Sequence, residues 1–158
     1  MADLELRAPT TDDCIELVLR MRAADVAEVQ AAGHEDLYAA VCDSVKRSTV
    51  ANAVLIDEEL LCIFGIAPLN GQLLTDYGVP WLLGTDALLK HRAVLMRVAP
   101  GYIAEMRRLH PFLVNCVHAE NVKAVAWLKR MGFALADAKP YGPKQAPFRL
   151  FQMGLDNV

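Results

Sequence analysis

Phe112-Leu113-Val114-Asn115-Cys116-Val117 is followed closely by Asn121-Val122-Lys123-Ala124-Val125-Ala126-Trp127-Leu128-Lys129-Arg130-Met131-Gly132-Phe133. The first run is apolar apart from Asn115 and Cys116, as in a strand covered on both faces. In the second, Val122, Val125, Ala126 and Leu128 recur at helical spacing, Asn121 starts the helix, and Gly132 can take the left-handed backbone that ends one. Phe133 to Ala136 then reads as a further strand. Strand, helix and strand in succession indicate an α/β layer.

Toward the N-terminus, Gly84-Thr85-Asp86 closes a candidate strand, Gly78 to Leu83, and offers Thr85 or Asp86 as the cap of a helix. That helix is expected to run to about Val98, to break at Pro100-Gly101, and to resume from Tyr102 to Leu109 before His110-Pro111. Ala53-Val54-Leu55-Ile56 and Leu60 to Ala67, separated by Asp57-Glu58-Glu59, predict a hairpin. The first third reads as a short strand at Leu4 to Arg7 and mainly helix after it. One helix spans Asp13 to Arg22, and a second is expected to begin at Asp25-Val26-Ala27-Glu28, a variant capping box. Gly33 interrupts it, and Leu37, Tyr38, Val41 and Val45 carry another amphipathic stretch. Toward the C-terminus, Lys139-Pro140-Tyr141-Gly142-Pro143 reads as a loop and Phe148 to Met153 as the last strand. The expected architecture is a mixed, twisted central sheet with helices on both faces, one domain over residues 1–158.

At 158 residues and a net charge of −3, the chain is long enough for one core and lacks the clustered positive charge that nucleic-acid backbones attract, so nucleic acid is not an expected partner. Its longest apolar stretch, Leu60 to Leu69, is about half of the roughly 20 residues a membrane-crossing helix needs, so no membrane is expected. The acidic N-terminus lacks the pattern of a secretory signal. Four dispersed cysteines, Cys14, Cys42, Cys62 and Cys116, predict reduced, buried thiols. Cys116 and His118 stand two apart without a second ligand pair, so no metal is expected.

The Asn121, Ala124 and Gly132-Phe133 spacing resembles the helix after the fifth strand of the GNAT N-acetyltransferases, and the strand through Asn115 and the start at Leu6-Arg7-Ala8-Pro9 are similar to that family as well. Met21-Arg22-Ala23-Ala24-Asp25-Val26, Gly78-Val79-Pro80-Trp81-Leu82-Leu83-Gly84-Thr85-Asp86 and Pro140-Tyr141-Gly142-Pro143 resemble GNAT-like proteins of tailed bacteriophages, including those related to internal virion protein A of short-tailed phages. The resemblance implies the GNAT fold over nearly the whole chain. For phage-type members it implies a protein of the host cytoplasm or of the virion.

In GNAT enzymes the start of the third helix binds the acetyl-CoA pyrophosphate through backbone N–H groups. The resemblance therefore assigns cofactor contacts to Val79, Trp81, Gly84, Thr85, Asp86, Ala87, Asn115 and Asn121. The family pattern is Gln or Arg, two residues, Gly, one residue, then Gly or Ala. Here Trp81 stands at the first position and Asp86 at the last. A carboxylate beside two phosphates is repulsive, whereas as a helix cap Asp86 is ordinary. The family's thiolate-protonating Tyr lies seven residues after the Asn and is matched by Leu128, which carries no proton. Tyr141 is the candidate substitute, with packing against Pro140 and Pro143 as its other reading. Glu28 is the candidate base, alongside Glu105, His118 and Glu120. Each also has a plain reading, as capping partner, solvated helix charge, strand-end histidine and loop charge respectively. Trp81 and Trp127 read first as core.

Three functions remain open: a non-catalytic phage-type domain, virion-associated or structural, with a degenerate acetyl-CoA site; an active acetyl-CoA-dependent N-acetyltransferase acting on an amine; and a self-associating domain presenting Phe148, Leu150 or Phe151.

Overall fold

The computed structural model describes residues 2–155. Eight strands form one sheet: β1 (Leu4–Arg7), β2 (Val50–Ile56), β3 (Glu59–Pro68), β4 (Tyr77–Gly84), β5 (Phe112–His118), β6 (Ala134–Leu135), β7 (Lys139–Tyr141) and β8 (Ala146–Met153). The order is β1-β2-β3-β4-β5-β8-β6, with β7 also on β8. Every neighbouring pair is antiparallel except β4 and β5. Five helices complete the fold: α1 (Thr11–Arg20), α2 (Ala23–Ala31), α3 (Leu37–Arg47), α4 (Arg92–Leu109) and α5 (Val122–Arg130). No helix among the described residues is long and apolar enough to cross a membrane.

Two apolar layers sandwich the sheet. Leu17 of α1 and Val41 of α3 pack on Ala53, Leu55, Ile63 and Leu83 of one face. On the other face, α4 and α5 cover Phe64, Ile66, Leu113, Val117 and Phe151 through Tyr102, Ile103, Met106, Val125 and Leu128. The expected mixed sheet with helices on both faces is therefore present. All four cysteines are free thiols; Cys14 and Cys62 are buried as expected, whereas Cys42 and Cys116 are only half-buried.

Local chemistry explains most boundaries. Thr10 Oγ1 accepts from the Asp13 N–H at 3.2 Å while Asp13 accepts from the Thr10 N–H at 2.8 Å, so the capping box of the N-terminal third lies at Thr10. Asp36 caps α3 through the Ala39 N–H at 3.0 Å. Gly132 ends α5 with φ +97°. The expected capping box at Asp25 is absent. The helix α2 begins two residues earlier, at Ala23, without a side-chain cap, and both Asp25 and Glu28 reach out of the helix instead.

Four further expectations are corrected. Neither Thr85 nor Asp86 caps the following helix: Leu88–His91 forms a 3₁₀ turn, and α4 starts at Arg92 behind an uncapped His91. Pro100 does not break α4. Val94 and Leu95 before it, and Tyr102, Ile103 and Met106 after it, pack on one sheet face, and that burial offsets the missing N–H bond. Lys139 to Tyr141, expected as loop, pairs with β8, while the strand expected from Phe133 to Ala136 shrinks to Ala134–Leu135.

The β7–β8 turn closes over the end of α2. A Cβ at Gly142, whose φ is +77°, would stand 2.5 Å from the Ala31 carbonyl oxygen, so strain and a backbone clash coincide there. In α4, by contrast, a Cβ at Gly101 meets nothing within 4 Å. Gly142→Ala is expected to lose about 1–3 kcal/mol of stability in urea titration, and Gly101→Ala to gain about 0.5–1 kcal/mol. Equal effects would mean that the turn does not bear on α2.

Candidate functional site

The parallel strands β4 and β5 pair only at Tyr77 with Phe112 and Gly78 with Leu113, although both run on to Gly84 and His118. They diverge and leave a wedge between their carboxyl ends. The β3–β4 register is regular throughout. The Pro80 carbonyl and the Gly84 N–H both find partners on the β5 side, so even-numbered β4 residues turn their backbone toward the wedge and odd-numbered ones toward β3.

Side chains of the chain itself fill most of this wedge. Asn115 Nδ2 donates to the Pro80 carbonyl at 2.8 Å, and its Oδ1 accepts from the Cys116 N–H at 2.7 Å. Asp25, 3% exposed, accepts from the Gly84 N–H at 2.8 Å, from Asn121 Nδ2 at 3.2 Å and from Arg22 at 3.2 Å. Glu28 accepts from the His118 N–H at 2.7 Å. Thus α2 lies across both strand ends, held by one carboxylate to β4 and by another to β5. Burial pushes the Asp25 carboxyl above its ordinary range and pushes Glu28 up to about 7.

The loop after β4 is equally engaged. Thr85, fully buried, donates through its N–H to the Leu61 carbonyl at 2.8 Å and through its hydroxyl to the Leu60 carbonyl at 2.7 Å. The Asp86 N–H donates to the Arg20 carbonyl at 3.0 Å, the Ala87 N–H to Thr85 Oγ1 at 3.3 Å, and the Leu88 N–H to the Thr85 carbonyl at 3.1 Å. The exposed Asp86 carboxylate pairs with Arg20, which also holds Glu16 and Glu59.

Solved structures share this architecture. A ribosomal-protein-alanine N-acetyltransferase from Brucella melitensis superposes with a TM-score of 0.67 at 12% identity, over 94% of this chain and 98% of that one. The acetyltransferase of GNAT family from Streptococcus pneumoniae gives 0.61 at 13% identity, over 96% and 98%. The fold is that of the GNAT acetyltransferases. A ribosomal alpha-N-protein acetyltransferase in complex with coenzyme A gives 0.63 at 14% identity, over 95% and 93%. No family model matches the sequence, and no curated protein matches it.

Set against what GNAT enzymes require, the residues present do not fit acetyl-CoA in this arrangement. All N–H groups from Gly84 to Leu88 are occupied, and a carboxylate sits on the first of them. Val79 and Trp81 turn their backbone toward β3, so they do not face the wedge. Pro80, which does face it, has no N–H to donate. Along β4, Leu82 is left to turn its N–H and carbonyl toward the open wedge. Asn115 and Asn121 do lie at the wedge, but with their amide groups engaged within the chain. Trp81 packs on the α1–α3 core and donates to Ser48 Oγ at 2.8 Å, and Trp127 packs on the α5 core.

Among the described residues no hydrogen bond joins the candidate acid, Tyr141, to the candidate base, Glu28. Tyr141 is half exposed and packs edge-on against Phe148, whose ring also meets the His118 ring. It lines a hollow of 210 Å³ with Cys116, Lys139 and Leu150. Glu28 lies behind His118 in the wedge. A second hollow, of 160 Å³, lies between α2 and α3 at Val29, His34, Ser44 and Leu83. Both are smaller than the roughly 300 Å³ at which ligand pockets begin. His118 has the backbone partner expected of it, since its Nδ1 accepts from the Glu120 N–H. Glu105 pairs with Arg108 on the exposed face of α4. Of the proposed self-association face, Phe148 and Phe151 are buried and Leu150 is exposed. The residue missed from sequence is Asp25, hidden by its likeness to a helix cap.

Removing Asp25 leaves Arg22, the Gly84 N–H and Asn121 Nδ2 without their acceptor in a buried setting. Asp25→Ala is expected to cost about 3–5 kcal/mol in urea unfolding. A loss below about 1 kcal/mol, the range of exposed ion pairs, would show that the contact does not hold α2.

Proposed function

We propose that this chain is a GNAT-fold protein whose cofactor wedge is filled by its own side chains, and that it acts as a non-catalytic binding component. The observation that carries this reading is the Asp25 carboxylate on the Gly84 N–H, the position at which a GNAT enzyme presents N–H groups to the cofactor's phosphates. An anionic ligand would have to displace an anion already bonded to three groups of the protein. The core position of Leu128, 7% exposed, supports the same reading, since the family's proton donor is replaced by a packing residue. The likeness to phage proteins adds a virion-associated or structural role, with other virion proteins or a second copy of the chain as partners.

A second reading, an active N-acetyltransferase on an unidentified amine, is favoured by the Leu82 backbone at the open wedge and by the acetyltransferases that share the fold. It requires α2 to withdraw from the ends of β4 and β5.

Titration of acetyl-CoA and of CoA into the protein, followed by calorimetry and by the amide NMR signals of Gly84 and Thr85, separates the two. The expected outcome is no saturable heat and no movement of those signals up to millimolar ligand. Saturable micromolar binding with both amides shifting would overturn the non-catalytic reading and call for a screen of amine acceptors.

A further inference from the structure

The connection from β3 to β4 contains a turn with an apolar apex. The Thr75 N–H donates to the Gln72 carbonyl at 3.1 Å, which puts Leu73 and Leu74 at the two central positions, where glycine and small polar residues are the usual occupants. They are 87% and 99% exposed and belong to neither apolar layer of the sheet. The turn is nonetheless fixed in place. His110, buried behind α4, donates through Nδ1 to the Thr75 carbonyl at 2.9 Å and meets Thr49 Oγ1 through Nε2 at 3.2 Å. One imidazole thus ties the turn to the residues that follow α3 and α4. Both helices finish on cations at this end of the sheet, Lys46 and Arg47 in α3, Arg107 and Arg108 in α4. Arg108 is paired with Glu105, and the loop itself contributes one acidic residue, Asp76. Scattered surface leucines are ordinary, but two adjacent ones at a fixed apex between cationic helix ends form a patch.

The opposite end of the sheet, where β2 turns into β3, carries the reverse charge. Arg20, the last residue of α1, holds Glu16, Glu59 and Asp86, three carboxylates on one guanidinium. Asp57 and Glu58 stand exposed in the turn that leads into Glu59, and Lys90 in the 3₁₀ turn after Asp86 offsets one of these charges. Beside them α1 shows an apolar side. Ile15 and Leu19, one helical turn apart, are both exposed, Leu19 by 79%, while Cys14 and Leu17 face the core.

We propose that copies of this chain associate head to tail, the Leu73–Leu74 turn of one seating on the Ile15–Leu19 side of α1 in the next. Arg47 and Arg107 then face the carboxylates around Arg20. Each patch is apolar at its centre and charged at its rim, and the two rims are opposite in sign, which fixes how they meet. The contact is heterologous: it leaves one free end of each kind and adds copies in a row. The choice of a second copy as partner rests on the binding reading above. The turn and the Ile15–Leu19 side both lie outside the wedge, so the acetyl-CoA titration and the association experiment fail separately.

Sedimentation velocity reads the association. The wild type is expected to gain average mass steadily from micromolar to millimolar concentration, past that of a dimer, and to lose that gain as salt is added. Leu73→Asp combined with Leu74→Asp removes one end, and Leu19→Arg removes the other. All three positions are exposed, so both variants are expected to unfold in urea at the wild-type midpoint and each alone to stay monomeric. Mixed, they are expected to form a one-to-one dimer that grows no further, because each supplies the end the other lacks. A wild type that stays monomeric over the whole range would overturn the proposal. Persistent association of Leu19→Arg alone would mean that the turns meet each other and would overturn it too, as would a mixture that stays monomeric. Co-sedimentation of a monomeric wild type with phosphatidylserine vesicles, abolished by the two aspartates, would give the turn to an anionic lipid surface and likewise end the proposal.

Discussion

The Asp25 carboxylate holds together three segments, two of which, at Arg22 and Gly84, are also joined by backbone hydrogen bonds across the Met21–Thr85 bridge. It accepts from the last residue of β4, from the residue that opens α5, and from Arg22 at the start of its own helix. Two parallel strands that separate after two paired positions leave backbone groups facing each other across a gap, and such groups must find partners when buried. Here Asn115, Asp25 and Glu28 provide them. The position of α2, the path of the loop from Gly84 to Leu88 and the start of α5 all follow from that solution.

The same wedge can be completed in a different way by a protein of this fold, with a ligand instead of side chains. Fold therefore constrains function loosely, and the difference lies in a few groups. A carboxylate on the Gly84 N–H gives the cleft a negative charge where an anion-binding loop would have free donors. Pro80 removes an N–H from the strand edge facing the gap, and Asn115 answers the Pro80 carbonyl that remains. These features are mutually consistent: each gives a polar backbone group at the wedge a partner within the chain or removes one. The β7–β8 turn packs on the C-terminal end of α2, at Ala31, through Gly142.

The sheet and its helices were legible because their signals are local. Apolar runs marked β2, β3 and β5, and helical spacing marked α1, α3 and α5. Where the reading failed, a local signal had a distant competitor. Asp25-Val26-Ala27-Glu28 has the composition of a capping box, yet both carboxylates turn toward strands remote in sequence. Pro100 and Gly101 carry the composition of a helix break, yet a continuous apolar face on both sides holds α4 together. Thr85 and Asp86 look like caps, yet Thr85 is drawn into the core by the Leu60 and Leu61 carbonyls and Asp86 is drawn to Arg20.

The amino-acid order by itself determined the succession of strands and helices, the caps that need only neighbours along the chain, such as Thr10 with Asp13, and the chemical fact that Leu128 cannot move a proton. It did not determine what Asp25, Glu28, Asn115 and Asn121 bind. Each of these side chains can serve a helix end, a solvent face or a ligand with equal chemistry, and their partners, apart from the neighbouring Arg22 and Cys116, lie 35 to 96 residues away. Only when the sheet closed, and β4 and β5 parted, did a buried gap exist whose unpaired backbone groups had to be met by whatever polar side chains stood around it.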